Sequence, residues 1–380
     1  MSVFVLTTLI AYIVFALGNS KNLVSNNNMI ITDKEKIRDT QTLFFIIGIV
    51  FFAFITGQRY YFGDTITYMD SFTKYTKTPG EVLSNFQFGK EDLYNFLVAF
   101  VKKYISTDPR IFIEIVSFCT ILPIFYFLFN YSGDLKFAFL LFVLSGCWEH
   151  SMNGLRQYLA GSLLMLFFKC IYNRKWYIYL PVVVISAQIH TSAYIFLLIY
   201  FIANKPAWGK TTKVILFFGI ALLITYPISG KFISTLLEKT TSYGEKYSNN
   251  GFDYSINIFR ILVMTVPTVI AFINRHSIKN QYKYYDIVFN MSLLCFITTV
   301  FGLVSVAYAR LNLYFEVFNV MLLVWNINDM IKRERYKWIK YACIVCFVAY
   351  FIYQMVFTYN LSWYERYMFF CNDWGDASWI

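Results

Sequence analysis

The stretch YIYLPVVVISAQIHTSAYIFLLIYFIA, residues 177–203, decides how the rest of the chain is read. It runs 27 residues without Asp, Glu, Lys or Arg, and His190 lies at its middle. As one α-helix it would be about 40 Å long, more than the ~30 Å hydrocarbon layer of a bilayer. It either tilts as a single helix or breaks near Gln188–Ser192 into two short segments. The two readings put everything downstream on opposite sides of a membrane. Lys and Arg accumulate in cytoplasmic loops. With a break, an even parity and the N-terminus outside, the inner segments hold seventeen Lys and Arg. The outer segments hold thirteen over nearly twice the length. A single crossing would instead separate Lys205, Lys210 and Lys213 from Arg174 and Lys175. The break is therefore the expected state.

The whole chain has the same character. Of its 380 residues, 58% are apolar and only 14% are charged, against roughly 45–50% and about 25% in soluble domains. A single core stops growing near ~250–300 residues, so a soluble fold could not hide this surplus. A soluble enzyme, a disordered chain and a disulfide scaffold are all excluded. The expected fold is all-α: a polytopic integral membrane helix bundle of about twelve spans, give or take two. It forms one membrane domain over 1–380. Ten further spans are expected at 2–18, 42–57, 110–130, 136–149, 154–172, 213–230, 255–274, 285–305, 309–331 and 338–358. The first reads as a retained helix, because no basic region precedes it. Outer loops are expected at 58–110 and 231–254. The first of these carries an in-plane amphipathic helix over 92–105, and Asp108-Pro109 caps the span that follows. Lys332-Arg333-Glu334-Arg335-Tyr336-Lys337 reads as a cytoplasmic anchor, part of the net charge of +11. Seven cysteines are scattered, and Cys343 with Cys346 has neither His nor a second pair beside it, so small-residue packing is expected rather than metal. No nucleotide-binding motif is present, and no nucleic-acid partner is expected.

Ionisable residues within or at the ends of spans are costly and mark function. Four stretches qualify, all on the expected outer side. Arg59-Tyr60-Tyr61-Phe62-Gly63-Asp64 follows an early span, with Gly63 permitting a turn and Asp64 and Tyr68 sharing a face at i, i+4. Glu149-His150-Ser151-Met152-Asn153-Gly154-Leu155-Arg156-Gln157 opens an apolar helix, with Asn153, Arg156, Gln157 and Ala160 on one face. Arg156 opposes the dipole at that end, and Arg suits bidentate phosphate or carboxylate binding. Gln188-Ile189-His190-Thr191-Ser192 places an acid or base where irregular backbone would line a cavity. Arg310 and Glu316 lie between two later spans, too poorly spaced to pair with each other. Two cations with an acid and a base suit a lipid-diphosphate sugar better than an ion.

At these residues the chain resembles the EpsG family of bacterial exopolysaccharide and capsule proteins, related to Wzy-type polysaccharide polymerases. The matching residues are Arg59, Asp64 and Tyr68; Asn153, Arg156, Gln157 and Ala160; Gln188 to Ala193, with Ala187 preceding; and Arg310 before Tyr314-Phe315. The resemblance covers most of 40–320. It leaves Trp363-Tyr364-Glu365-Arg366-Tyr367 unmatched. It implies polymerisation of undecaprenyl-diphosphate-linked oligosaccharide repeat units at the outer face of the bacterial cytoplasmic membrane. It also implies a flippase and a chain-length regulator as partners. Arg156 and Arg310 would hold the diphosphate, and His190 or Asp64 would activate the acceptor hydroxyl. Arg59, Tyr68, Asn153, Gln157, Glu149, His150 and Glu316 complete the expected substrate-binding set. No cofactor is expected, and metal-independent transfer is implied. The alternatives are a flippase or exporter of the lipid-linked oligosaccharide, and a ligase making a single addition.

Overall fold

The computed structural model describes residues 2–19, 31–221, 224–225, 257–278, 281–303 and 306–358. The expected loop at 231–254 and the tail after 358 lie outside them. Among the described residues every regular element is helical, and the chain divides into two compact units.

The first unit comprises residues 1–86, 94–155 and 351–380. Its helices are α1 (Ser2–Asn19), α2 (Ile31–Gly57), α3 (Thr65–Lys74), α4 (Pro79–Ser84), α5 (Asp92–Tyr104, all but its first two residues), α6 (Pro109–Tyr131), α7 (Leu135–Leu144) and α8 (Cys147–Asn153). Helices α1, α2, α6 and α7 pack through aromatic rings: Phe52 lies 5.5 Å from Phe125 and 4.6 Å from Trp148. Asp108 caps α6 by accepting from the Arg110 N–H, and Pro109 follows at the first helical position. The amphipathic helix at 92–105 is present as α5. Its Lys102 donates to the carbonyls of Phe72, Thr73 and Tyr75, which satisfies the open C-terminal end of α3.

The second unit comprises residues 87–93 and 156–350. It contains α9 (Leu155–Leu166), α10 (Phe168–Tyr172), α11 (Trp176–Ala187), α12 (Ile195–Ala203) and α13 (210–221). Then come α14 (Ile258–Ile273), α15 (Arg275–Ile278), α16 (Tyr285–Phe301), α17 (Val306–Leu311), α18 (Glu316–Met330) and α19 (Trp338–Tyr353, all but its last three residues). Helices α14, α16 and α18 form its centre. Their contact is polar in places: Asn319 donates to the Met264 carbonyl, Ser292 donates to Asn319, and Asn312 donates to Thr299. Asn290 on α16 donates to the carbonyls of Ala203 and Lys205 at the end of α12. Interhelical hydrogen bonds of this kind hold helices together where the surroundings are as apolar as the core. The outward side chains are apolar, among them Leu198, Phe217 and Val345.

Among the described residues, two helical stretches have the length and hydropathy of a complete span, Pro109–Tyr131 and Glu334–Thr358. Seven more apolar helices are 10–17 residues long. The expected spans 136–149 and 154–172 are interrupted. Helix α7 stops at Leu144, because Gly146 adopts φ +90° and turns the chain into α8. Gly154 ends α8. A further break at Phe167 has no Gly or Pro to account for it.

The 177–203 stretch does break. Helix α11 ends at Ala187, His190 is extended at φ −150° and ψ 118°, and a 3-10 turn over Thr191–Tyr194 leads into α12. The arms fold back on each other. Tyr179 stacks on Tyr200 with ring centroids 5.7 Å apart, and Asn204 donates to the Ile171 carbonyl. Arg174 and Lys175 therefore sit at the same end of this hairpin as Lys205. The arms are shorter than expected: the 12 residues of α11 rise about 18 Å, well under the ~30 Å of hydrocarbon. Single cysteines at Arg174→Cys and Lys205→Cys, in a chain freed of its own cysteines, will react with an impermeant thiol reagent from the same side. Reaction from opposite sides would contradict the hairpin.

Candidate functional site

The break in the hairpin leaves Gln188, His190 and Thr191 with polar side chains or N–H groups outside regular helix. The segment 87–93 satisfies them. Gly89, at φ +83°, donates its N–H to Gln188 Oε1 at 2.9 Å. Gln188 is itself held by donating to the Val184 carbonyl and the Tyr194 hydroxyl. Two residues on, Glu91 Oε1 accepts from His190 Nδ1 at 2.6 Å, from the Thr191 N–H at 3.0 Å and from the Thr191 hydroxyl at 3.2 Å. Glu91 Oε2 accepts from Arg156 Nη1 at 2.5 Å. One carboxylate thus joins a segment before α5, the first turn of α9 and the tip of the hairpin.

Glu91 holds this place against its own backbone preference. Its φ is +59°, a left-handed conformation that a residue with a Cβ rarely adopts. Its side chain is 9% exposed. Burial pushes the carboxyl group up. The hydrogen bond and charge of His190, the charge of Arg156 and the Thr191 N–H pull it down further, to about 2. The folded-state value is depressed, so the stabilisation is present above the ordinary value of ~4.3 and is lost only as pH falls through about 2. These contacts favour the carboxylate form of Glu91.

Arg156 and Gln157 occupy the first turn of α9. The Arg156 side chain is 24% exposed. Gln157 donates to the Arg310 carbonyl at 3.3 Å, so the Arg310 backbone lies beside this turn while the Arg310 side chain is exposed. Ser192 shares a hydrogen bond with the Tyr314 hydroxyl at 2.8 Å, which ties the tip of the hairpin to the segment after Arg310. Glu316 is fully buried at the N-terminus of α18. It accepts from Arg260 at 3.1 Å and from Tyr158 at 2.6 Å. It therefore pairs away from Arg310, as the spacing required.

The remaining expected residues belong to the first unit. Arg59 is 2% exposed. It donates to the Thr56 carbonyl, to Ser117 on α6 at 2.6 Å and to Thr65 at the start of α3 at 3.2 Å. It pairs with Thr and Ser oxygens rather than with Asp64. Asp64 is half-buried, and its N–H donates to Asn153 Oδ1. Gly63, at φ +54°, makes the turn between them, and a Cβ there would lie 2.7 Å from Asn153 Oδ1. Tyr68 is half-buried on α3, its ring 6.5 Å from that of Tyr94. Glu149 and His150 are buried within α8. The expected shared face of Asn153, Arg156, Gln157 and Ala160 does not form. Gly154 separates the two helices, so Asn153 closes α8 while Arg156 opens α9.

Glu91 and Arg260 were not among the residues expected from the sequence, and Thr191 and Tyr158 lay within the candidate stretches without a role of their own. Arg260 carries a readable signal, a lone charge inside an apolar stretch. Glu91 carries none, because Gly89-Lys90-Glu91-Asp92 has the composition of an ordinary solvated loop.

A family model described as the EpsG family matches residues 42–368. A search of the curated proteins gives no match, and neither does a search of the solved structures.

Arg59 joins α2, α3 and α6 from a buried position, and removing one partner of such a network costs about 2–4 kcal/mol. Arg59→Ala will lower the melting temperature of the purified protein and its folded yield. An Arg59→Ala protein as stable as wild type would contradict the strut.

Proposed function

The chain belongs to the EpsG family, polysaccharide polymerase-like membrane proteins, and from that premise we propose that it polymerises lipid-diphosphate-linked oligosaccharide repeat units. The lipid is undecaprenyl, and the site opens to the outer face of a bacterial cytoplasmic membrane. The observation that carries this reading is the meeting of His190 and Arg156 on one ionised carboxylate. An acid-base group and a fixed cation within reach of one another are what transfer from a diphosphate ester requires.

The reaction joins an acceptor sugar hydroxyl to the reducing-end anomeric carbon of the growing chain. His190 takes the hydroxyl proton as the oxygen attacks. The bond from that carbon to the diphosphate oxygen breaks, and its electron pair leaves with the diphosphate. The imidazolium then returns the proton to the departing group or to water. Arg156, with guanidinium N–H groups beyond the one on Glu91, neutralises charge building on the leaving group. Such fixed charge acts most strongly when it matches the transition state rather than the ground state. Arg310, exposed beside Gln157, is the second cation for the same diphosphate. The leaving group is already activated, so neither ATP nor a nucleotide sugar enters the step. A flippase that delivers the donor and a regulator of chain length are the partners this chemistry needs.

In liposomes containing the purified protein and a lipid-diphosphate repeat unit, a ladder of lengthening glycans will form. His190→Ala and Arg156→Ala will each reduce ladder formation by about 100-fold or more while the protein remains folded. Translocation of the lipid without a ladder would contradict polymerisation. A normal ladder from both variants would contradict the assignment of these residues.

A further inference from the structure

Beyond His190 and Arg156 themselves, we infer that Glu91 is the positioning residue of this site, holding the His190 ring in the tautomer and orientation that present Nε2 to the acceptor. The inference rests on the polymerase reading for its chemistry, but not for its geometry.

The argument begins with the backbone. A glutamate at φ +59° is strained, and such conformations persist where surrounding contacts over-determine them. Here four donors converge on the two carboxylate oxygens. Asn or Gly would suit the turn better but could not reach them: the Glu side chain is long enough to touch His190 and Arg156 together. Gly89 fixes the approach, because its N–H meets Gln188 two residues before His190. Segment 87–93 is thus seated at two points, at both sides of the break.

The consequence falls on the imidazole. A neutral ring donates from one nitrogen and accepts at the other. With Nδ1 on an ionised carboxylate, Nδ1 carries the proton and the lone pair sits on Nε2. The same carboxylate favours the imidazolium that forms when Nε2 takes the acceptor proton. Carboxylates that orient a working histidine act through this contact without touching the substrate. Glu91 meets the ring at Nδ1, and Arg156 reaches the other oxygen of the same carboxylate.

The test reads the ring directly. The chain has three histidines, so the His190 signals in a nitrogen-15 histidine spectrum are assigned by their loss in His190→Ala. Wild type will show the Nδ1–H tautomer. Glu91→Gln, whose amide can donate as well as accept, will lose the single Nδ1–H signature and show a mixture of tautomers. Glu91→Asp, which retracts the carboxylate by one methylene, will fall between, and it serves alone if Glu91→Gln does not fold. In liposomes kcat will fall about tenfold or more in Glu91→Gln while KM stays near the wild-type value. A His190 tautomer signature unchanged in both variants overturns the inference. A signature that changes in a protein whose wild type builds no ladder leaves Glu91 in this role and overturns the polymerase reading instead.

Discussion

The arrangement of the second unit depends on one carboxylate. Glu91 lies between a guanidinium and an imidazole, and it also caps the Thr191 N–H exposed by the broken helix. A break in an apolar hairpin leaves backbone donors that hydrocarbon cannot satisfy, at a cost of several kcal/mol each. Segment 87–93 supplies the acceptors that make the break tolerable. The same contact brings two functional side chains together, so what keeps the irregular backbone stable also assembles the site.

The rest of the chain follows the rule that a lipid-exposed protein turns its polar groups inward. Arg59, Glu316 and Asp329 are all almost completely buried, and each is met by several partners. Asp329 accepts from Asn274, Ser277 and Arg333, which ties α14, α15 and α18 at the end where Lys332 and Arg333 lie. Glu316 with Arg260 and Tyr158 ties α9, α14 and α18 in the same unit. These pairs fix helix register where apolar contact alone would allow sliding. They resemble Glu91 in chemistry but differ in reach: Glu316 has no exposed surface, whereas Arg156 beside Glu91 does.

Much of this was legible in the chain itself. Composition settles an all-helical membrane protein. The length of 177–203 and the charges flanking it locate the break, and Asp108-Pro109 marks the start of α6. What was not legible depends on contacts across long separations. Glu91 meets His190 across 99 residues and Arg156 across 65, and nothing in a local window marks it out. Periodicity put Asn153 and Arg156 on one face because it assumes a continuous helix, and Gly154 removes that assumption. Arg59 was read as a substrate-binding residue. Its role as a buried strut rests on Ser117, 58 residues away. The break within 177–203 was legible because its length and the basic residues at both ends called for a turn near Gln188–Ser192.

The central claim is that Glu91 and Arg156 act as one unit. A double-mutant cycle on thermal unfolding of the purified protein, with Glu91→Gln, Arg156→Gln and the pair, measures it most directly. Residues in direct contact show coupling of about 0.5–3 kcal/mol, whereas independent sites add within ~0.5 kcal/mol. The structure requires the double variant to lose clearly less than the sum of the two singles. Losses that simply add would mean that the carboxylate and the guanidinium do not meet, and the site described here would not exist.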